Sequence, residues 1–576
     1  MSLAIQKAAY LNAIEHNGKA NSSAVVGRLL AENPNLRKDS NRIKSIASEV
    51  VSKINEMTVA EQRDVLERDF PGEIEKTIAR KKEISKADSE KKIELPDLPD
   101  AEFGKVVTRF PPEPNGYMHI GHAKATILGF EYAKKYQGKF IVRFDDTNPA
   151  VEKKEYYDAF LESFDWLGIK ADLVRNASDD LTKYYEIART MIQKYAAYVC
   201  ACNQEKMREN RKAGVNCEHR SQTADQNFTL WELMVSGETE AKHSTLRFVG
   251  DMQSLNTTMR DPVLFRVVEH PHPLKGTLFR IWPTYDFNGP VEDSLDGVTH
   301  AMRSKEYELR DELYYAILDS ANLRKPRIIE FSRLQLQNTT VSKRNLRKLI
   351  DEGKVKGWDD PRLPTISGLK RRGILPGAIR EFVLSMGISK VESQPSWDLL
   401  ESINRKLLDP IAKRLFYVEN PVSLEIDGAP SIKVLLKFHP DEKFGSRTIE
   451  TDGRFLISAS DASQLKIGSK FRLIEVYNCE VYSIQDNLIK AKQVSDDNLE
   501  RMMKVQWVVP EKSIPFRVTV TGPLLIDEVY NPDSLKISEG KAELSARDLK
   551  IGEMFQFVRF GFCRLDSPES AIFAHK

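Results

Sequence analysis

Cysteine, net charge and long apolar runs are all scarce in this chain, and each scarcity removes a class of explanation. Five cysteines in 576 residues are too few for a disulfide framework. The opening Met1-Ser-Leu-Ala-Ile-Gln-Lys7 carries no signal-peptide core, so a reducing cytoplasm is expected. No apolar stretch approaches the ~20 residues of a membrane span, and no membrane partner is expected. Lysine and arginine total 86 against 84 aspartate and glutamate, a net charge of +2. That balance excludes a protein that coats nucleic acid nonspecifically, so an RNA partner must be gripped by local basic patches. What the chain does have is length, enough for about three to five domains.

Residues 1–78 carry helical periodicity (Ala9, Leu11 and Ile14; Val25, Val26, Leu29 and Leu30; Ile43, Ile46, Val50 and Ile54) without strand alternation. Residues 79–105 are dense in Lys and Glu and read as a solvated linker, so 1–100 forms a helical extension and its tether. From 101 to 197 strand and helix alternate: Lys139-Phe-Ile-Val-Arg-Phe144 is a buried strand, and Tyr157, Phe160, Leu161, Phe164 and Leu167 follow at helical spacing. This predicts a doubly wound parallel sheet with its ligands at the carboxyl ends of the strands. Residues 198–265 interrupt it with cysteines and short strands, an inserted subdomain. The sheet is expected to resume over 266–345, beginning with Leu278-Phe-Arg-Ile-Trp-Pro-Thr-Tyr-Asp-Phe287. A helix-rich connector spans 346–415. Beyond it, Val422–Ile426, Ile432–Lys437, Phe471–Val476 and Phe516–Thr521 are short strands parted by Gly, Pro, Asp and Asn. The fold class is therefore multidomain, α/β plus all-β, ending in barrels.

Chemistry concentrates in Arg109-Phe-Pro-Pro-Glu-Pro-Asn-Gly-Tyr-Met-His119-Ile-Gly-His122. Two histidines three apart share one helix face. They follow a β-branched strand and a Pro/Gly loop, where a new helix would present free N–H groups and its positive end to an anion. Gly121 between them leaves bare backbone for a flat ring. The arrangement suits a nucleoside triphosphate. A His-x-x-His pair alone is more often an ordinary pair, but two further segments accompany it: Thr340-Val-Ser342-Lys343-Arg344, and Gly357-Trp-Asp-Asp-Pro-Arg-Leu-Pro-Thr-Ile-Ser-Gly-Leu-Lys-Arg-Arg-Gly373.

Together these segments resemble the class I aminoacyl-tRNA synthetases, in the branch that handles glutamate and glutamine. The resemblance implies ATP with Mg2+ bound by His119, Gly121, His122, Ser342 and Lys343, with His119, His122 and Lys343 as the catalytic set. One departure is plain: the first lysine of the family's lysine-serine-lysine loop is replaced by Thr340. The resemblance also implies tRNA as partner, read at its anticodon by the C-terminal strands and at its acceptor end by the insert. A β-ended chain with a helical 1–78 resembles the archaeal and eukaryotic glutamyl type, and a monomer is expected.

Glutamate carries two carboxylates and glutamine one, so a glutamate site calls for two arginine forks. By resemblance Arg109 and Arg303 supply them, Asp145 takes the α-ammonium and Tyr285 meets the side chain. Arg303 stands where the glutaminyl enzymes carry an uncharged residue, which favours glutamate. Which arginine takes which carboxylate stays open, as does charging of tRNA(Gln) besides tRNA(Glu). The alternatives are a glutaminyl enzyme, a noncatalytic tRNA-binding paralogue and a tRNA-independent nucleotidylyltransferase. Finally, Cys200-Ala-Cys202 and Cys217-Glu-His219 have the donor types of a tetrahedral zinc site, against the plainer reading of unconnected reduced thiols. Cys479 and Cys563 look like packing residues.

Overall fold

The computed structural model describes residues 2–15, 18–32, 40–73, 94–237, 243–392, 394–485, 487–496 and 502–576. The chain divides into two compact units, Met1–Glu94 and Leu95–Lys576. Most of the charged tether lies outside the described residues.

In the first unit the expected helices form over Ser2–Glu15, Ser22–Glu32, Ser40–Asn55 and Val59–Asp69. Alanines 8, 9, 13 and 47 share a core with Ile5, Val25, Leu29 and Ile43, and small side chains let helix backbones approach closely. Thr58 and Glu61 form a reciprocal capping box at the start of the last helix.

The second unit is organised by a parallel sheet. Strands β1 (Val107–Phe110), β2 (Lys139–Phe144) and β3 (Leu173–Asn176) pair in that order. A second parallel pair, β8 (His300–Ser304) with β9 (Arg327–Phe331), abuts the other side of β1. There the Thr299 N–H donates to Val107 O at 2.9 Å and the Val107 N–H to Thr299 Oγ1 at 2.8 Å. The spatial order β3-β2-β1-β8-β9 reverses direction between β1 and β8, the crevice where doubly wound sheets bind ligands. Helix α1 (Ile120–Lys135) follows β1. Its Ile120, Ala123, Ile127 and Leu128 share one core with Phe140, Val142 and the connector residues Leu369, Ile379 and Phe382.

Between β3 and β8 sits an antiparallel four-stranded sheet, β4 (Ala197–Cys200), β5 (Thr245–Phe248), β6 (Val263–Val267) and β7 (Ile281–Pro283). The run beginning at Leu278 was expected to resume the parallel sheet; instead Ile281 pairs with Val267 in the insert, and helix α2 (Tyr285–Leu295) follows at once. Pro283 has no N–H to donate and suits an edge strand, which β7 is. Its apolar residues are buried either way, here with Trp231 and Phe265, so the apolar pattern could not say which sheet owned it. Helix α3 (Asp311–Ser320) joins that core through Leu313 and Ile317, and helix α4 (Lys343–Asp351) follows β9.

The C-terminal strands form two seven-stranded sheets that interlock in sequence. One uses strands from 421 to 508. The other takes Lys413–Leu415 and Tyr417–Glu419 first, then pairs them with Met554–Phe557 and Leu535–Glu543 after the chain returns. No helix among the described residues is long and apolar enough to cross a membrane.

A hairpin from this β region, Leu525–Ile526 with Val529–Tyr530, turns through Asp527 and Glu528 at positive φ. Beside it Leu524, 1% exposed, packs with Leu346 and Leu349 of α4 and with Leu363. Leu524→Ala removes buried methyl groups at a junction of distant segments. It should cost about 2–5 kcal/mol, read as a lower urea midpoint with faster proteolysis around 521–534; an unchanged midpoint would contradict this packing.

Candidate active site

His119 is the N-cap of α1, and its Nδ1 accepts the N–H of Gly121 at 3.1 Å and of His122 at 3.3 Å. His122 answers through Nδ1, which accepts the His119 N–H at 3.4 Å. The pair is thus a capping box made of imidazoles, and the rings stack at 3.7 Å and 18°. Two positive rings could not stack so closely. Burial, with the charges of Lys343 and Arg333, pushes His119 down to about 3, and burial with His119 pushes His122 well below its ordinary value. Both rings are neutral at pH 7. With Nδ1 accepting, each carries its proton on Nε2, a donor free for an oxygen in the cleft. A Cβ on Gly121 would meet the His119 ring at 3.0 Å and Leu334 O at 3.4 Å, so the glycine keeps both the cap and the bare backbone.

The cleft is open to solvent, and Arg109, His119, Gly121, His122, Asp145, Tyr285, Arg303 and Lys343 all line it. The carboxyl ends of β1, β2 and β8 converge there, which is why residues up to 234 positions apart in sequence meet (Arg109 and Lys343). Ser342, the N-cap of α4, is not among the lining residues. Lys343 opens α4. Its Nζ donates to Asn115 Oδ1, and its stem crosses Gly116, whose added Cβ would come within 3.3 Å. Burial lowers the lysine's pKa.

The two arginines differ in availability. Arg109 is clamped: Nε and Nη2 donate to the two oxygens of Asp293 at 2.9 Å each, and Nη1 to Met302 O at 2.6 Å. Three of its five donors are used. Arg303 is held more loosely, Nη1 to Asp311 at 3.1 Å and Nη2 to the Tyr285 hydroxyl at 3.4 Å, while its buried Nε has no partner. Tyr314, Tyr307 and Tyr285 lie 5.1, 5.5 and 6.0 Å from its guanidinium, an aromatic cage that fixes the plane without consuming the fork. A small recess lies between Arg109, Arg303, Tyr285 and Tyr314.

Sequence reading missed the scaffold behind these groups. Arg143, fully buried in β2, donates to Asp145 at 2.7 Å and to Asp293 and Asp296 at 2.9 Å each. Burial pushes the Asp145 carboxyl up, with Arg143 opposing. For Asp293, Arg109 and Arg143 outweigh the effect of burial and hold the carboxyl down to about 2. A signal existed: an arginine inside the apolar run Phe140-Ile-Val-Arg-Phe144 must be paired to be buried at all. Arg333, just past β9, also lines the cleft.

In the insert, the donor atoms of Cys200, Cys202, Cys217 and His219 all lie within 4.8 Å of one another. Sulfur pairs stand at 3.6 Å (Cys200–Cys217) and 3.4 Å (Cys202–Cys217), and His219 Nδ1 lies 3.2–4.0 Å from the three sulfurs. Ligands at about 2.3 Å (S) and 2.0 Å (N) from a tetrahedral zinc would be separated by roughly 3.5–3.8 Å. The set fits.

A family profile described as tRNA synthetases class I (E and Q), catalytic domain, matches residues 105–410. Two anticodon-binding-domain profiles of the same group match 412–495 and 504–566. The chain belongs to this class I synthetase family. Among individual proteins it is similar to the glutamate--tRNA ligase of Nitrosopumilus maritimus, 42% identical over 572 residues covering 99% of both chains. That of Cenarchaeum symbiosum is 42% identical over 570 residues (99% of this chain, 98% of the relative), and that of Pyrococcus furiosus 40% over 588 (99% of both).

The neutral histidines have a pH consequence. His119 falls from an ordinary 6.5 to about 3 on folding, so between those values the unfolded chain binds the extra proton. Stability from this group is therefore complete above about pH 6.5 and is lost as pH falls. His119→Asn keeps a good cap and removes the titration. Between pH 7.5 and 5 it should lose up to about 2 kcal/mol less stability than the parent, measured by denaturant unfolding at both pH values; equal losses would show that His119 is not held neutral by the fold.

Proposed function

We propose that the chain is a glutamate–tRNA ligase that activates glutamate with ATP and passes it to the 3′ end of tRNA(Glu). A glutamate carboxylate oxygen attacks the α-phosphorus of ATP, pyrophosphate departs, and glutamyl-adenylate remains. A hydroxyl of the terminal ribose then takes the acyl group and AMP leaves. The observation that carries the reading is Arg303: a buried, caged guanidinium with an unpartnered Nε, in the same cleft as the histidine pair. An anionic side chain can use that fork, whereas an amide would leave it unpaired.

The roles follow from charge and position. His119 and His122 donate Nε2–H to phosphate oxygens as neutral groups. Gly121 lets the nucleotide lie against backbone, Ser342 stands just before Lys343 at the start of α4, and Lys343 meets the charge growing on pyrophosphate. Mg2+, entering with ATP, would supply positive charge to its phosphates. Arg303 offers the more open fork to one glutamate carboxylate. Arg109, half committed to Asp293, borders the other, with Asp145 facing the ammonium and Tyr285 the side chain. Cys200, Cys202, Cys217 and His219 hold a structural zinc that fixes the insert for the acceptor end of tRNA. The enzyme works in the cytoplasm as a monomer.

Purified tRNA(Glu) and tRNA(Gln), each offered with glutamate and with glutamine, test the reading. Glutamate on tRNA(Glu) supports it, and glutamate on tRNA(Gln) would widen the specificity. Esterification of glutamine alone, or of nothing, refutes it. Lys343→Ala should slow ATP–pyrophosphate exchange by about 10²–10³ with little change in the KM for glutamate. Arg303→Gln should instead raise that KM, and lower kcat/KM by roughly 10²-fold or more. Equal exchange rates in parent and Lys343→Ala would remove Lys343 from the pyrophosphate.

A further inference from the structure

Arg247 lies in β5 with its side chain wholly buried, and among the described residues no carboxylate forms an ion pair or hydrogen bond with it. Its Nε donates to the main-chain carbonyl of Asp261 at 3.0 Å, Nη1 faces Cys200 Sγ at 3.8 Å, and Nη2 has no hydrogen-bond partner. The strand register explains the approach. Arg247 stands directly opposite Tyr198, two residues before Cys200 on the same face of β4, so it reaches Cys200 diagonally, with the Tyr198 ring 5.5 Å from its guanidinium. The Asp261 carboxylate is committed elsewhere, accepting from Arg220 Nη1 at 2.6 Å, the Tyr198 hydroxyl at 2.9 Å and the Gly250 N–H at 2.9 Å.

The Asp261 carboxylate is ion-paired to Arg220, and Arg247, though within its field, has no ion-pair partner of its own among the described residues. An arginine cannot shed its proton, and an uncompensated buried guanidinium is strongly destabilising. The neighbouring cluster supplies the missing sign. Three thiolates against one doubly positive ion, with a neutral imidazole, leave a zinc centre of this composition with one net negative charge. A thiolate sulfur is also a better acceptor than a thiol for the Nη1–H aimed at it.

We propose that Arg247 is the counter-charge of the zinc–thiolate centre, held against Cys200, and that it sets the centre's affinity for the metal. This rests on the zinc assignment made above. Arg247 is a positioning residue that acts on the centre through Cys200, in the way outer groups tune a metal's first ligands.

The test uses the full chain, stripped of metal and reloaded with Zn2+ or Co2+. Affinity is read by chelator competition, and thiolate ligation by the cobalt–sulfur charge-transfer absorption. Arg247→Gln and Arg247→Met should each weaken Zn2+ binding about 10- to 100-fold, while Arg247→Lys, which keeps the charge, should stay within about threefold of the parent. In a Cys202→His background the loaded centre is neutral, and there Arg247→Gln should change affinity by less than about twofold. Parent-like zinc affinity in Arg247→Gln, or an equal loss in both backgrounds, overturns the counter-charge while leaving the zinc site standing. A parent chain that takes up no stoichiometric zinc and shows no cobalt–thiolate band overturns the zinc assignment and the counter-charge together.

Discussion

One carboxylate holds the candidate site together. Asp293, on α2, receives both nitrogens of the Arg109 fork from β1, a nitrogen of Arg143 from β2, and the hydroxyl of Tyr314 from α3 at 2.9 Å. Four elements far apart in sequence therefore share one buried anion, itself fully screened from water. Removing Asp293 itself would strip the buried Arg109 of its carboxylate, a penalty of about 3–5 kcal/mol, whereas Arg143 would keep Asp145 and Asp296. The insert, which precedes α2, is locked to the catalytic sheet by the same contact. Both arginines inherit this rigidity, because Arg109 and the Tyr314 ring 5.1 Å from the Arg303 guanidinium are both held by Asp293.

The cleft separates its cations into those already neutralised and those left for a ligand. Arg143 and most of Arg109 belong to the first group. Arg303, paired through Nη1 with Asp311 but with an idle Nε, belongs partly to the second, and Lys343, bonded only to a neutral amide, wholly. Leaving cations unneutralised lowers stability in the empty state and strengthens binding of anions, the usual trade at a functional site. The histidines illustrate the other solution. Close to Lys343 and Arg333, they avoid repulsion by staying neutral and contribute hydrogen bonds instead of charge. A buried lysine on the same helix, Lys124, ties α1 to Ser332 O at 2.6 Å just before Arg333, so the histidine cap and the far wall of the cleft are positioned as one piece.

Much of this was legible in sequence because it is local. The histidine cap, the strand before it, the N-terminal helices and the short C-terminal strands each declare themselves within a dozen residues. The Cys-x-Cys and Cys-x-His pairs also revealed their donors, although only folding could bring the two pairs within 4.8 Å. What stayed hidden is what pairing decides. The apolar segment at Ile281–Pro283 satisfies an antiparallel neighbour as readily as a parallel one, and its buried face looks the same in both. The chain's detour, laying down Lys413–Glu419 before building another sheet and returning, leaves no periodic trace. Nor could Arg109's commitment to Asp293 be read, since both residues look equally free for a ligand until they are placed 2.9 Å apart.

The replacement of the loop's first lysine by Thr340 bears on how the cleft obtains its positive field. Thr340 is buried, and its hydroxyl accepts the Ser342 N–H at 3.2 Å. It therefore shapes the approach to α4 and offers no charge. The cations that line the cleft come instead from rigid elements and their ends: Arg303 on β8, Arg333 after β9, and Arg266 on β6, whose guanidinium donates only to the carbonyls of Pro283 and Thr147. A charge on a strand end loses less entropy on meeting a polyphosphate than one on a flexible loop. Lys343 opens α4 directly after the segment 340–342, so Thr340 bears on where that cation stands and not on how much charge the cleft holds.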